Sequence, residues 1–154
     1  MIESGIRGGM ATISHRHAKV NNNYMRTEFH PAKESKFISY LDVNGIYSWT
    51  MSKPHPTSGF EWMTDDEMDD WKHLSCILDV GLEYPEHLHN LHNDYPLAPE
   101  RVKRGNVEKL IPNLYNMTNY VVHYENLKLY ESLGLKIAKI HRGIKFEESA
   151  LLEK

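Results

Sequence analysis

The sequence predicts an α+β fold, and three observations carry that expectation. The 154 residues are 40% hydrophobic and 25% charged, enough for one domain with its own core. Apolar runs of strand length recur at Phe37–Leu41, Leu74–Tyr84, Tyr120–Tyr124 and Leu135–Phe146. Short helical stretches with their own start and stop signals lie among these runs, and strands separated by short helices suit antiparallel pairing. No apolar run approaches the length of a membrane span, and the N-terminal MIESGIRGGM lacks the apolar core of a signal peptide. The single Cys76 sits in an apolar run, where it packs as a small hydrophobe and leaves no intrachain disulfide framework. The composition is of an intracellular type.

The net charge of −3 conceals a pattern. Met1–Lys36 holds six Lys/Arg against three Asp/Glu, and Phe37–Glu100 holds two against twelve. Arg101–Lys145 reverses the sign with nine against three. Two basic flanks around an acidic middle can build a local electropositive groove, or can be solvated faces and nothing more.

Taken in order, Ser4–Gly9 brings three glycines into a short span. Gly8 and Gly9 allow close backbone approach, with Arg7 as a phosphate-directed fork, or they mark an ordinary turn. Met10–Ser14 is a candidate strand. His15–Lys19 and Asn21–Asn23 suit an exposed basic hairpin or loop. Phe37–Leu41 then reads as a buried strand that delivers Asp42 to its end. Gly45 turns the chain into a short helix over Ile46–Met51, which Pro54 and Pro56 stop. An acid at a strand end with an aromatic five residues on suits a metal-bound phosphate and a flat substrate. The commoner role of such an Asp is to cap the next helix.

Gly59–Trp62 follows as an extended piece. Thr64 and Glu67 form a capping-box pattern before a helix over about Asp65–Trp71, whose acidic first turn suits the helix dipole. Leu74–Tyr84 is a strand with apolar alternation stopped by Pro85. Its Asp79 is a second metal-site acid or, more commonly, a solvated acid on the strand face. His87, His89 and His92 have a spacing open to zinc, but their Asn-Asp-Tyr-Pro context is that of a turn-rich loop. Tyr120–Tyr124 is a strand, Glu125–Leu133 a helix closed by Gly134, and Leu135–Phe146 a strand with one wet, positive face.

Together these pieces resemble the family B DNA polymerases, in particular their protein-primed branch in bacteriophages, linear plasmids and virus-like mobile elements. Asp42-Val43-Asn44-Gly45-Ile46-Tyr47-Ser48 is similar to motif A, D-x-x-S-L-Y-P, with Gly45 for Ser and Ser48 for Pro. Ile6-Arg7-Gly8-Gly9 resembles the upstream Y-x-G-G motif, with Ile6 in place of Tyr. His141–Ser149 resembles the strand between motifs A and B.

The resemblance implies that Asp42 is one of two palm carboxylates holding a pair of Mg²⁺ ions for nucleotidyl transfer. It places the backbone of Val43, Asn44, Gly45, Ile46 and Tyr47 near the nucleoside triphosphate, with Tyr47 as the steric gate against ribonucleotides. Arg7, Gly8 and Gly9 would contact template DNA. The implied division is a template-binding linker over 1–36, the start of the palm over 37–56, an insertion for the terminal protein primer over 57–140, and a return strand over 141–154. DNA primer–template, deoxynucleoside triphosphates and the terminal protein are the implied partners, with no membrane. Neither K-x-x-x-N-S-x-Y-G nor a paired-Asp motif C occurs in the sequence. The expectation is therefore a polymerase fragment that is inactive alone. The alternative is a non-catalytic nucleic-acid- or protein-binding remnant.

Overall fold

The computed structural model describes residues 1–8 and 10–150. A four-stranded antiparallel sheet organises the chain, in the order β1 (Pro54–Trp62), β6 (Lys136–Ala150), β2 (Cys76–Glu83) and β5 (Met117–His123). A separate two-stranded sheet pairs β3 (Glu100–Arg104) with β4 (Val107–Ile111) around Gly105, whose φ of 62° makes the tight reversal. Among the described residues five short α-helices accompany the strands: α1 (Ile2–Gly5), α2 (Ile46–Met51), α3 (Asp65–Asp69), α4 (His89–His92) and α5 (Tyr124–Ser132). The α+β expectation is met.

β2 lies inside the sheet, paired with β5 along one edge and β6 along the other. Its core side chains Cys76, Leu78, Val80 and Leu82 pack with Tyr120, Val122 and Leu127. The expected solvent alternation is therefore absent, and the strand is buried from Leu78 to Leu82. Asp79 is not a solvated acid: it is only 3% exposed and accepts from Arg142 Nε at 3.1 Å and Asn119 Nδ2 at 3.4 Å. A paired carboxylate and Gly81 let the second face close over as well. Cys76 is fully buried, as its apolar run indicated, and burial pushes its thiol up to about 12.

β1 is an edge strand, which is why it tolerates Pro54 and Pro56. Its register slips around Ser58, and Gly59 adopts a φ of 67° there. The extended piece expected at Gly59–Trp62 is thus the end of a longer strand. β6 is also longer than the expected Leu135–Phe146, and it joins β1 to β2. Both β1 and β6 run without a break through positions 56–57 and 140–141. The capping box holds, with Thr64 N donating to Glu67 Oε2 at 2.9 Å and Glu67 N to Thr64 Oγ1 at 3.4 Å. α5 ends at Gly134, whose φ of 100° suits the helix stop.

Further expectations are corrected. Phe37–Leu41 and Met10–Ser14 are not strands. A strand exists through its pairing, and among the described residues the only bridge near these segments joins Asn21 to Lys36. Phe37–Leu41 is accordingly exposed throughout, with Tyr40 at 95%. Asn21 and Asn22 are buried rather than exposed. The Asn21 amide donates to the carbonyls of His30, Lys33 and Glu34, and its Oδ1 accepts from His30 N, which ties the loop over 21–36 together. Glu86–His92 forms a pair of helical turns, and the Asn93–Pro96 stretch after them is turn and irregular backbone, as its composition indicated.

Candidate functional site

Asp42 and Tyr47 lie on either side of Gly45. The left-handed Gly45 (φ 69°) starts α2, and Trp49 N donates to its carbonyl at 3.0 Å. Ser52 closes the helix through bonds to Ser48 O and Trp49 O. His55 Nε2 sits 2.8 Å from Thr50 O, and the Lys53 ammonium lies 4.8 Å from the Trp49 ring centre. The short helix over Ile46–Met51 is as its sequence signals indicated. Asp42 does not cap it: the cap position is Gly45, and the Asp42 carboxylate accepts from Val43 N at 2.9 Å. Asp42, Val43, Asn44, Gly45, Ile46 and Tyr47 are all exposed. The acid is thus carried by a segment without regular secondary structure, with Tyr47 83% exposed beyond it.

Among the described residues no group of three or more His, Cys, Asp or Glu side chains could hold a metal ion. Asp42 alone is not a metal centre, and the residues present do not fit a complete divalent-metal pair. Asp79 is committed to Arg142 and Asn119. His89 Nε2 lies 3.2 Å from Tyr84 O, and His92 Nδ1 lies 2.9 Å from Tyr84 Oη, so both rings pack around one tyrosine.

Arg7 is held in place by the fold. Its guanidinium stacks over the Tyr120 ring at 3.8 Å, and Nη1 donates to Val121 O at 2.6 Å and Gly5 O at 3.2 Å. Gly8 follows, exposed and beside Arg101, Glu108 and Lys109 of the β3–β4 hairpin. Gly9 lies outside the described residues. Arg7, Tyr120, Tyr130, Asn126, His123 and Pro99 line a pocket of about 150 Å³. The sequence reading singled out Arg7 but none of the other pocket residues. More than 110 positions separate Arg7 from the strand it touches, and no local pattern announces such a contact.

A second cluster also escaped the sequence. Tyr124 and Ser75 hydroxyls each donate to Glu148 Oε2 at 3.0 Å, and His123 Nε2 lies 3.7 Å from Glu148 Oε1. Burial lowers the His123 pKa, while the Glu148 carboxylate pulls it the other way. This network ties β6 to the start of α5.

The structure is that of a small α+β unit with an exposed acid-and-tyrosine segment leading into its edge strand. The family model for DNA polymerase type B, organellar and viral, matches residues 23–154, and the chain belongs to that family. The matched range includes Asp42–Ser48 and begins after Arg7 and Gly8. No curated protein and no solved structure matches the chain. Type B polymerases generally use divalent metal, DNA and nucleotides. No helix among the described residues is long and apolar enough to cross a membrane.

Proposed function

We propose that the chain is the segment of a protein-primed DNA polymerase that opens the palm. Asp42 contributes one carboxylate to a divalent-metal site whose other ligands are not among the described residues. The backbone of Val43, Asn44, Gly45, Ile46 and Tyr47 lies along the incoming triphosphate, and Tyr47 excludes the 2′-hydroxyl. Arg7, Gly8 and Gly9 contact the template, residues 57–140 receive the terminal protein primer, and residues 141–154 lead back to the polymerase body. The observation that carries this reading is the Asp42-to-Tyr47 segment itself. A left-handed Gly45 starts a short helix, and acid and aromatic both stand in solvent where a nucleotide could reach them. The family match across this segment supports it.

The test places the segment in a reading frame that supplies motif B and motif C. Asp42→Asn is expected to lower nucleotide incorporation by about 10²-fold or more, the scale of losing one charged group at a reacting centre. Tyr47→Ala is expected to admit ribonucleotides. An Asp42→Asn polymerase of undiminished activity would overturn the assignment. The 154-residue chain alone is expected not to extend a primer with Mg²⁺ or Mn²⁺, and extension would refute that.

A second reading, a non-catalytic nucleic-acid-binding remnant, draws on Gly45 and Ser48 standing where motif A carries Ser and Pro, and on Ile6 in place of Tyr. It predicts salt-dependent binding of primer–template DNA that is indifferent to Asp42→Asn.

A further inference from the structure

Arg7 presents a problem in charge balance. The side chain is half-buried, and its contacts are two backbone carbonyls and an aromatic face. No carboxylate among the described residues forms an ion pair with it, although ten other pairs exist among them. Two acids on the neighbouring elements are engaged elsewhere. Glu100 accepts from Asn113, and Glu148 is held by Tyr124 and Ser75. A cation drawn partly out of water without an opposing charge is costly, and a bound anion offsets that cost.

The donor inventory says where such an anion sits. A guanidinium has five N–H groups, and the two on Nη1 are spent on Gly5 O and Val121 O. Nε and Nη2 form the remaining edge, a fork suited to two oxygens of one tetrahedral anion. Among the described residues neither has an acceptor. Arg7, Tyr120, Tyr130, His123 and Asn126 are among the residues lining the pocket of about 150 Å³. Asn126 stands in the first turn of α5, exposed and able to donate. Stacking on Tyr120 and the bond to Val121 fix the guanidinium plane before any ligand arrives, so little side-chain freedom remains to be lost.

We infer that this pocket is a phosphate-binding site in which the Nε/Nη2 edge of Arg7 holds two phosphate oxygens and the Asn126 amide donates to a third. It deepens the reading of Arg7 as a DNA contact and rests on that reading for the choice of phosphate among anions. The phosphate can be an internal diester of a strand, a strand's 5′ end, or free inorganic phosphate.

The test titrates the 154-residue chain with inorganic phosphate, with a 5′-phosphorylated single-stranded oligonucleotide and with its 5′-hydroxyl counterpart, following amide resonances of Val121, Asn126 and Tyr130. Phosphate is expected to perturb all three. Asn126→Asp, an exposed change that sets a carboxylate against the anion, is expected to weaken binding about tenfold or more with no change in melting temperature. Arg7→Lys keeps the charge without the fork and is expected to weaken it comparably. Preference for the 5′-phosphorylated strand assigns the end, equal binding of both strands in competition with phosphate assigns the diester, and phosphate binding alone assigns the free ion. If phosphate and both strands leave the three resonances unmoved, or if Asn126→Asp binds as the parent does, the site is refuted. The Asp42→Asn incorporation assay does not involve this pocket, so failure here and failure of the polymerase reading are separable.

Discussion

At the scale of single residues, Asp79 and Arg142 respond unequally to substitution. Asp79 is almost wholly buried, whereas the Arg142 side chain is 55% exposed. Arg142→Ala leaves a buried carboxylate with one weak donor, and it is expected to cost about 3 kcal/mol. Asp79→Asn frees a guanidinium that water can solvate, and the loss is expected nearer about 1 kcal/mol. Urea melts of the two variants decide the order, and equal losses would mean that the carboxylate is not desolvated as its burial indicates. Gly143 offers a packing test. A Cβ there would lie 2.5 Å from Met63 Sδ and 2.7 Å from Leu78 Cδ2, so Gly143→Ala is expected to destabilise by about 1–3 kcal/mol in the same melts.

Glu67 gives a residue-scale prediction in pH. The Lys145 ammonium, 2.6 Å away, and the Thr64 amide hold its carboxyl below the ordinary 4.5. A depressed acid contributes stability that is fully present above its unfolded value and is lost as pH falls through the folded one. The melting temperature should therefore decline on acidification below about pH 4.5, and Glu67→Gln should flatten that decline. An unchanged acid limb in the variant would assign the decline to other carboxylates.

At the scale of elements, signals confined to a few neighbouring residues were legible. The Thr64–Glu67 box, the Gly134 stop and the Gly45 start each depend on local backbone chemistry, and each appears where the sequence put it. Strand status was legible only where a partner existed. Leu74–Tyr84 and Phe37–Leu41 look alike as apolar runs, yet the first lies between two strands and the second pairs with none among the described residues. The hairpin of β3 and β4 went unread although Arg104-Gly105-Asn106 carries a turn signal, because four of the five residues of β3 are charged and only β4 has apolar character. The candidate site divides the same way: the Asp42–Tyr47 helix start was readable, while the Arg7 pocket needed the fold. Residues 37–51 carry a six-residue helix with no buried side chain, too short to be stable by itself in water. Limited proteolysis is expected to cut there first, and its amides to exchange long before those of β2 and β6. Protection equal to that of β2 would show that something covers the segment.

At the scale of the whole molecule, the sheet and the Asp42–Met51 segment are separable in stability. The core gathers around β2, β5, β6 and α5, and Asp42–Met51 contributes nothing buried to it. Substitutions at Asp42 and Tyr47 should thus change nucleotide chemistry without moving the melt, whereas Leu127→Ala, at a fully buried position, is expected to cost about 2–5 kcal/mol.

Cys76 makes that separation measurable on one sample. It is the only cysteine, it has no exposed surface, and burial raises its thiol far from neutrality. A thiol-alkylating reagent can reach it only when the central strand opens, since the thiolate is the reactive form. Its modification rate is therefore a clock for global unfolding, while cleavage between 37 and 51 times local opening. A ligand that slows cleavage and leaves alkylation untouched would be acting on residues 37–51 alone.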